Sequence, residues 1–151
     1  MVRPGLAVYG YDPSEGLAPE AAALRPALRL WSSVRQLSWI ETGEEVSYGG
    51  MWTAPRRTRL AVIPLGYGDG FWRCHSGRFE VEIRGRRCQQ VGRICMDLMM
   101  VDVTDVADIA LDDRVVVIGP GLPAERLAKA AGTIVYEITC DLGRRLQRHF
   151  V

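Results

Sequence analysis

The sequence contains little lysine and little histidine. Lysine occurs once, at Lys129, and histidine only at His75 and His149. The four cysteines are widely spread and form no CxxC pair, and Cys74 directly precedes His75, which is poor geometry for two ligands of one metal. We therefore predict four free, buried thiols and no metal site.

The chain also lacks an excess of either charge and any long apolar run. Nineteen basic residues face 18 acidic ones, which leaves a net charge of +1 and no electrostatic footprint for nucleic acid or an anionic membrane. No apolar run approaches the length of a membrane span, and the first residues do not have the architecture of a signal peptide. These absences predict a soluble cytoplasmic protein with no nucleic-acid or membrane partner.

What the sequence does contain is a series of short apolar segments separated by turn residues. This spacing, with a turn about every 8–12 residues, predicts a mainly β fold: a small β-barrel-like domain of short strands with one or two peripheral short helices. A hairpin turn is predicted at Gly85, a helix over 123–131 with its C-cap at Gly132, and a helical turn around 19–24 within a linker. The predicted strands cover 3–10, 27–40, 58–65, 79–83, 87–91, 98–103, 114–118 and 133–139.

Three turns stand out as a candidate small-molecule site. Two of them are glycine-rich, VSYGG at 46–50 and PLGYGDG at 64–70, and the third is CMD at 95–97. Glycine has no side chain to intrude, so such turns let the backbone approach a ligand closely. Tyr48, Tyr67 and the backbone of 95–97 are therefore predicted to form one wall of a site. We interpret Asp69 and Asp97 as acceptors that stabilise the turns, and we expect Lys129 to lie on the solvent side of its helix.

Five segments occur in an order and spacing similar to those of a known family. They are RPGLAVYG, EEVSYGG, PLGYGDGF, VGRICMDLMMVDVTD and GTIVYEITC. Together they resemble the C-terminal part of alanine racemase, a pyridoxal-phosphate enzyme. The resemblance implies that 1–26 is the last strand of an N-terminal barrel plus a linker, and that 27–151 is the C-terminal β-domain. The chain departs from the family at Gly68, where alanine is usual, and in its tail, at Leu146 and Gln147.

The resemblance also implies a function. Alanine racemases interconvert L-alanine and D-alanine, the latter destined for peptidoglycan, and work as head-to-tail homodimers. Each active site combines the barrel of one subunit with the C-terminal domain of the other. A lysine of the barrel holds the pyridoxal 5'-phosphate, and the barrel is absent from this sequence. We therefore expect this chain to be inactive alone and to need an N-terminal barrel as partner.

Individual residues acquire expected roles from the same resemblance. Racemisation needs a base on each face of the Cα atom, and Tyr48 matches the tyrosine that faces the cofactor lysine. Met96 matches a residue whose backbone N–H holds the substrate carboxylate, which explains an apolar residue in a polar site. The other matches are Tyr67 near the substrate, Tyr136 at the cofactor phosphate, and Arg93, Arg73 and Ile134 along the channel that leads to the site.

Other interpretations remain open at this stage. A racemase of the same architecture that acts on another amino acid, such as serine, would share these segments. A stand-alone module that uses the domain for oligomerisation or binding, without catalysis, would share them too. Tyr48, Met96 and Tyr136 could each be ordinary packing residues, since tyrosine in a turn and methionine in a core are common.

Overall fold

Among the residues that the structure describes, nine strands and two α-helices make up the fold, and the sheet dominates it. The computed structural model describes residues 1–13 and 24–150. Seven strands form one antiparallel sheet in the order β1-β9-β6-β7-β8-β5-β2, and β3 and β4 pair separately. The strands are β1 (Leu30–Ser33), β2 (Gln36–Ile40), β3 (Glu45–Val46), β4 (Trp52–Thr53), β5 (Thr58–Ile63), β6 (Glu80–Ile83), β7 (Arg86–Val91), β8 (Met99–Asp102) and β9 (Arg114–Ile118). The predicted mainly β class is confirmed.

The connection between the two edge strands explains why the sheet curls. β1 and β2 lie at opposite edges, yet only Val34 and Arg35 separate them in the chain. Seven flat strands would span roughly 29 Å from edge to edge, whereas the chain from Ser33 to Gln36 reaches at most about 11 Å. Hydrogen bonds from Val34 N to the Asp113 oxygen (3.0 Å) and from Arg35 N to the Val62 oxygen (2.9 Å) tie the connection to both sides. The sheet therefore curls into a barrel-like half-cylinder.

The hairpin of β6 and β7 forms where the sequence predicts it. Ile83 pairs with Arg86, so that Arg84 and Gly85 alone make the turn. Both have positive φ, 52° and 74°, as the two central residues of a tight hairpin turn require. Gly85 meets this requirement at no steric cost, and Arg84 is anchored by an ion pair with Asp113.

The core fills the concave side of the sheet. Alternate residues of β6 and β8 are buried, as expected of strands with one face inside. The helix α1 (Ala124–Ala131) covers part of the core with Leu127 and Ala128, and it ends at Gly132, whose φ of 72° provides the predicted C-cap. A second helix, α2 (Val135–Asp141), packs against α1.

The strand predicted over 3–10 is wrong in this structure. Gly5–Tyr9 form a 3₁₀ turn that is closed by the left-handed Gly10. An extended segment needs a neighbouring strand for its N–H and C=O groups. Here the bonds are local instead, from Ala7 N to the Pro4 oxygen and from Gly10 N to the Ala7 oxygen. The helical turn predicted around 19–24 falls almost wholly outside the described residues.

The strand predicted over 133–139 is also wrong, because this segment forms α2. Its apolar contacts fall at Val135, Ile138 and Leu142, spacings of three and four that place them on one face of a helix. β-Branched residues dominate the segment and suggested a strand, but packing outweighs that preference. The long strand predicted over 27–40 is real but divided at Val34 into β1 and β2. Within the described ranges, no helix is both long and apolar enough to cross a membrane.

His75 should make the stability of the chain depend on pH. Its side chain is 1% exposed, and burial lowers the pKa of the imidazole even though Nε2 lies 3.1 Å from the Leu127 oxygen. A depressed pKa means that the unfolded state takes up a proton at a higher pH than the folded state. Stability is therefore full above about pH 6.5 and falls as the pH is lowered below that value.

Urea unfolding of the chain at pH 7.5 and 5.5 measures this effect. We expect the part of the free energy of unfolding that His75 contributes to be smaller at pH 5.5 than at pH 7.5. His75→Gln should remove that part of the pH dependence, while His149→Gln, at the other histidine, which is exposed, should leave it unchanged. An identical pH dependence in wild type and His75→Gln would contradict the assignment.

Candidate functional site

A single open groove of about 850 Å³ collects most of the predicted site residues. The turn between β3 and β4 forms one side, and the segment before β8 forms the floor. Tyr67 and Arg73 enter from two successive 3₁₀ turns, Tyr67–Asp69 and Arg73–His75. The lining residues are Ser47, Tyr48, Tyr67, Arg73, Arg93, Ile94, Cys95, Met96, Asp97, Leu98 and Met100.

Tyr48 projects from the turn that joins the short strands β3 and β4. Glu45 pairs with Thr53 and Val46 with Trp52, so the residues between them must reverse the chain. Gly49 and Gly50 allow this reversal with φ values of 74° and 53°. The Arg93 side chain donates from Nε to the Tyr48 carbonyl oxygen at 3.1 Å. The Tyr48 side chain is 74% exposed, so its phenol is presented to the groove and does not pack in the core.

Tyr67 and Met96 lie on two loops that are joined by their backbones. Tyr67 N donates to the Cys95 oxygen (3.0 Å), and Gly68 N donates to the Met96 oxygen (2.9 Å). Gly66 makes this approach possible, because a Cβ atom there would lie 2.3 Å from the Cys95 oxygen. Within the described part of the chain, the Met96 N–H donates to no protein acceptor, so it is available to a ligand.

The charged network behind these loops confirms Asp69 as an acceptor that stabilises its turn, whereas Asp97 accepts from Arg145 of the tail and not from its own turn. Asp69 accepts the Gly66 N–H at Oδ2 (3.0 Å) and pairs with Arg145 through Oδ1 (3.1 Å). Arg145 also donates from Nη1 to Asp97 Oδ1 at 2.6 Å, and this bond is the main reason that the pKa of Arg145 is raised. The Arg145 guanidinium therefore links the loop of Tyr67 to the loop of Met96.

Two of the predicted site residues lie elsewhere. Ile134 and Tyr136 line a second groove of about 580 Å³, together with Lys129. Its full lining is Leu6, Asp12, Pro13, Glu125, Ala128, Lys129, Thr133, Ile134, Val135 and Tyr136. Within one chain, the structure therefore brings Tyr48, Tyr67, Met96, Arg73 and Arg93 together. It separates them from Tyr136 and Ile134.

Residues 27–150 match the family model for the alanine racemase C-terminal domain. The chain belongs to this family. An alanine racemase of Geobacter sulfurreducens is 44% identical over 156 residues, which cover 100% of this chain and 41% of that protein.

Solved structures of alanine racemases resemble the chain closely. The alanine racemase of Clostridium difficile 630 in complex with cycloserine matches with a TM-score of 0.88 at 39% identity, covering 94% of this chain and 38% of that one. The alanine racemase of Bartonella henselae with covalently bound pyridoxal phosphate matches with a TM-score of 0.89 at 34% identity, covering 97% of this chain and 40% of that one. This chain thus spans about two-fifths of the length of these relatives.

The alanine racemase domain has two neighbours of the site that sequence reasoning missed. Arg145 lies in the tail, where the sequence departs from the family at Leu146 and Gln147, and no local pattern there signals its ion pairs with Asp69 and Asp97. Ser47 precedes Tyr48 and has a φ of 65°, and no pattern in the sequence signals that conformation. Both contact backbone atoms of the wall: Arg145 reaches the Met96 oxygen, and Ser47 donates to the Arg93 oxygen.

The chemistry available in the two grooves differs. The first offers a phenol, a free N–H and two arginines, which suits a small substrate with a carboxylate. The second offers the Tyr136 hydroxyl and the Lys129 ammonium, donors of the kind that suit a phosphate. The four cysteines are free, as predicted, but the expected burial holds only for Cys88: Cys95 is half-buried, and Cys74 and Cys140 are exposed. Within residues 1–13 and 24–150, no three potential metal ligands cluster.

Proposed function

We propose that this chain is the part of an alanine racemase that supplies the second base to the active site of a partner subunit. The observation that carries the proposal is the shared groove of Tyr48, Tyr67 and the unpaired Met96 N–H. A barrel domain with a lysine would face this groove and complete the site. In this arrangement the full-length protein is a homodimer whose substrate is alanine.

The residues of this chain divide the work on the substrate. The Met96 N–H donates to the substrate carboxylate, and the positive charge of Arg73 and Arg93 favours an anion in the groove. The Tyr48 oxygen, as phenolate, takes the proton from one face of Cα, and as phenol it returns one to the same face in the reverse direction. Tyr67 closes the substrate end of the groove.

The second groove supports a separate role in cofactor binding. Tyr136 would donate a hydrogen bond from its hydroxyl to the phosphate of a pyridoxal phosphate held by the chain's own barrel, while Tyr48 would serve the partner's site. The cofactor, when bound, supplies an electron-withdrawing ring that accepts the electron pair left at Cα. Because Lys129 shares the groove of Tyr136 and not that of Tyr48, the lysine on the opposite face of Cα must come from the barrel.

A chimeric enzyme tests the proposal. This chain would replace the equivalent C-terminal part of the Geobacter sulfurreducens racemase, to which it is 44% identical, and we call the product the barrel-containing holoenzyme. We expect it to interconvert L-alanine and D-alanine and to retain one pyridoxal phosphate per chain after borohydride reduction. The 151-residue chain alone should do neither.

The other outcomes identify the competing functions. Turnover of serine without turnover of alanine would assign the chain to a racemase of different specificity. A dimeric chimera that binds cofactor but racemises neither amino acid would indicate a non-catalytic module. Stoichiometric cofactor binding and alanine turnover by the chain alone would overturn the proposed division of labour.

A further inference from the structure

The residue before Tyr48 adopts a backbone conformation that belongs to glycine. Ser47 has φ 65° and ψ −175°, a region that is populated almost only by glycine because a Cβ atom is strained there. Of the non-glycine residues with positive φ in the described ranges, Ser47 alone lines the first groove. Such strain persists only where the surrounding structure imposes it, and it concentrates at functional sites.

Two contacts hold Ser47 in this conformation. Its Oγ donates to the Arg93 carbonyl oxygen at 2.8 Å, and Arg93 in return donates from Nε to the Tyr48 carbonyl oxygen at 3.1 Å. The pair of bonds clamps the turn that carries Tyr48 onto the segment that leads to Met96. The side chain of Ser47 also lies 3.6 Å from the Cys95 sulfur.

The surrounding backbone leaves the clamp little freedom. Val46, just before Ser47, is 4% exposed and packs with Leu60 and Val91. Gly92, which directly follows β7, comes so close to this segment that a Cβ atom there would lie 2.7 Å from the Val46 oxygen and 3.1 Å from Ser47 Cβ. The chain is therefore fixed up to Ser47, and the direction of Tyr48 depends on the Ser47 φ and ψ angles.

We propose that Ser47 is a positioning residue that sets the placement of the Tyr48 phenol through this clamped, strained backbone. The inference rests on the proposed function of Tyr48 as a base. Glycine would adopt the same angles without strain, but it would also permit many others and would lack the hydroxyl that fixes the turn. Serine combines the conformation with the anchor, at the cost of strain.

Glycine and alanine variants of the barrel-containing holoenzyme separate strain from anchoring. Ser47→Gly and Ser47→Ala both lose the hydroxyl, so their difference reports the backbone alone. Where a backbone is unstrained, glycine is less stable than alanine. Here we expect the reverse order, with Ser47→Gly melting at a higher temperature than Ser47→Ala.

Turnover should fall in both variants, even though Ser47→Gly is expected to be more stable than Ser47→Ala. We expect a turnover roughly 10-fold lower, with KM changed much less, because the phenol is misplaced while the carboxylate site remains. In deuterated solvent, exchange of the Cα hydrogen on the tyrosine face should slow, and exchange on the lysine face should continue. Asp108→Gly is the matched control: Asp108 is exposed, has a φ of 52° and lies outside the groove, so turnover should not change.

The parent holoenzyme keeps the two hypotheses apart. If it does not racemise alanine, the proposed function fails and the positioning role of Ser47 fails with it, while the melting order of the two variants still tests the strained backbone. If it does, three results overturn the role of Ser47: turnover of Ser47→Gly within twofold of the parent, equal loss of exchange on both faces, or a Ser47→Gly variant that melts below Ser47→Ala.

Discussion

Replacing Tyr48 by phenylalanine in the barrel-containing holoenzyme should lower racemase turnover by a factor of about 10² to 10⁴, the range typical of losing a general base. The change removes one oxygen from a side chain that is 74% exposed. The free energy of unfolding should therefore change by less than about 1 kcal/mol. A large kinetic effect without a thermodynamic one is the signature of a group that acts on the substrate.

The direction of proton exchange makes the test sharper. In deuterated solvent, Tyr48→Phe should still exchange the Cα hydrogen of the enantiomer whose hydrogen faces the lysine. Exchange of the Cα hydrogen that faces residue 48 should become slow. Equal loss of exchange from both enantiomers, together with a lower melting temperature, would mean that Tyr48 is structural.

Replacing Gly66 by alanine should destabilise the chain more than any other single methyl group added to the wall of the groove. Gly66 has extended backbone angles that alanine also adopts, so the cost is purely steric. A Cβ atom would lie 2.3 Å from the Cys95 oxygen and 2.4 Å from the Met96 oxygen, and backbone cannot move aside as a side chain can. We expect a loss of about 3 kcal/mol, which would lower the melting temperature by roughly 6–12 °C.

Gly68 offers a matched control two residues away. A Cβ atom there would lie 2.4 Å from Arg145 Nη2, which sits at the end of a flexible side chain, and 3.1 Å from the Met96 oxygen. The guanidinium can swing away, so Gly68→Ala should cost only about 1 kcal/mol through weaker contacts with Asp69 and Asp97. Thermal unfolding of both variants checks the prediction. Equal losses of stability in Gly66→Ala and Gly68→Ala would show that the loop of Gly66 adjusts freely and that its close approach to the Cys95 and Met96 oxygens is not needed.

Local features of the sequence predicted the parts of the fold that depend on local physics. The Arg84–Gly85 hairpin follows from the positive φ that its turn requires, and the end of α1 follows from Gly132 in a left-handed cap. Prediction failed where a segment could be either strand or helix. Residues 133–139 and 3–10 are short and apolar, and only their neighbours determine which backbone hydrogen bonds are available to them.

In the candidate site too, local sequence predicted some features, and others depend on how distant segments pack. The glycine-rich turns indicated Tyr48, Tyr67 and Met96, because tight turns and close backbone approach depend on residue type at known spacings. The sequence could not show that Tyr136 and Ile134 lie in a different groove from these residues. Nor could it show that Arg145 braces the wall, since ion pairs between residues far apart in the chain depend on how the segments pack.

By itself, the sequence determined the family and the mainly β class and indicated candidate residues for the chemistry, because these reside in local patterns and in residue identity. The tertiary structure alone decided the curl of the sheet, the helical state of α2 and the strained backbone at Ser47. Each of these depends on contacts between distant segments: the short link from β1 to β2, the packing of Ile138, and the clamp between Ser47 and Arg93. Long-range packing outweighs local preference wherever the local alternatives are close in energy.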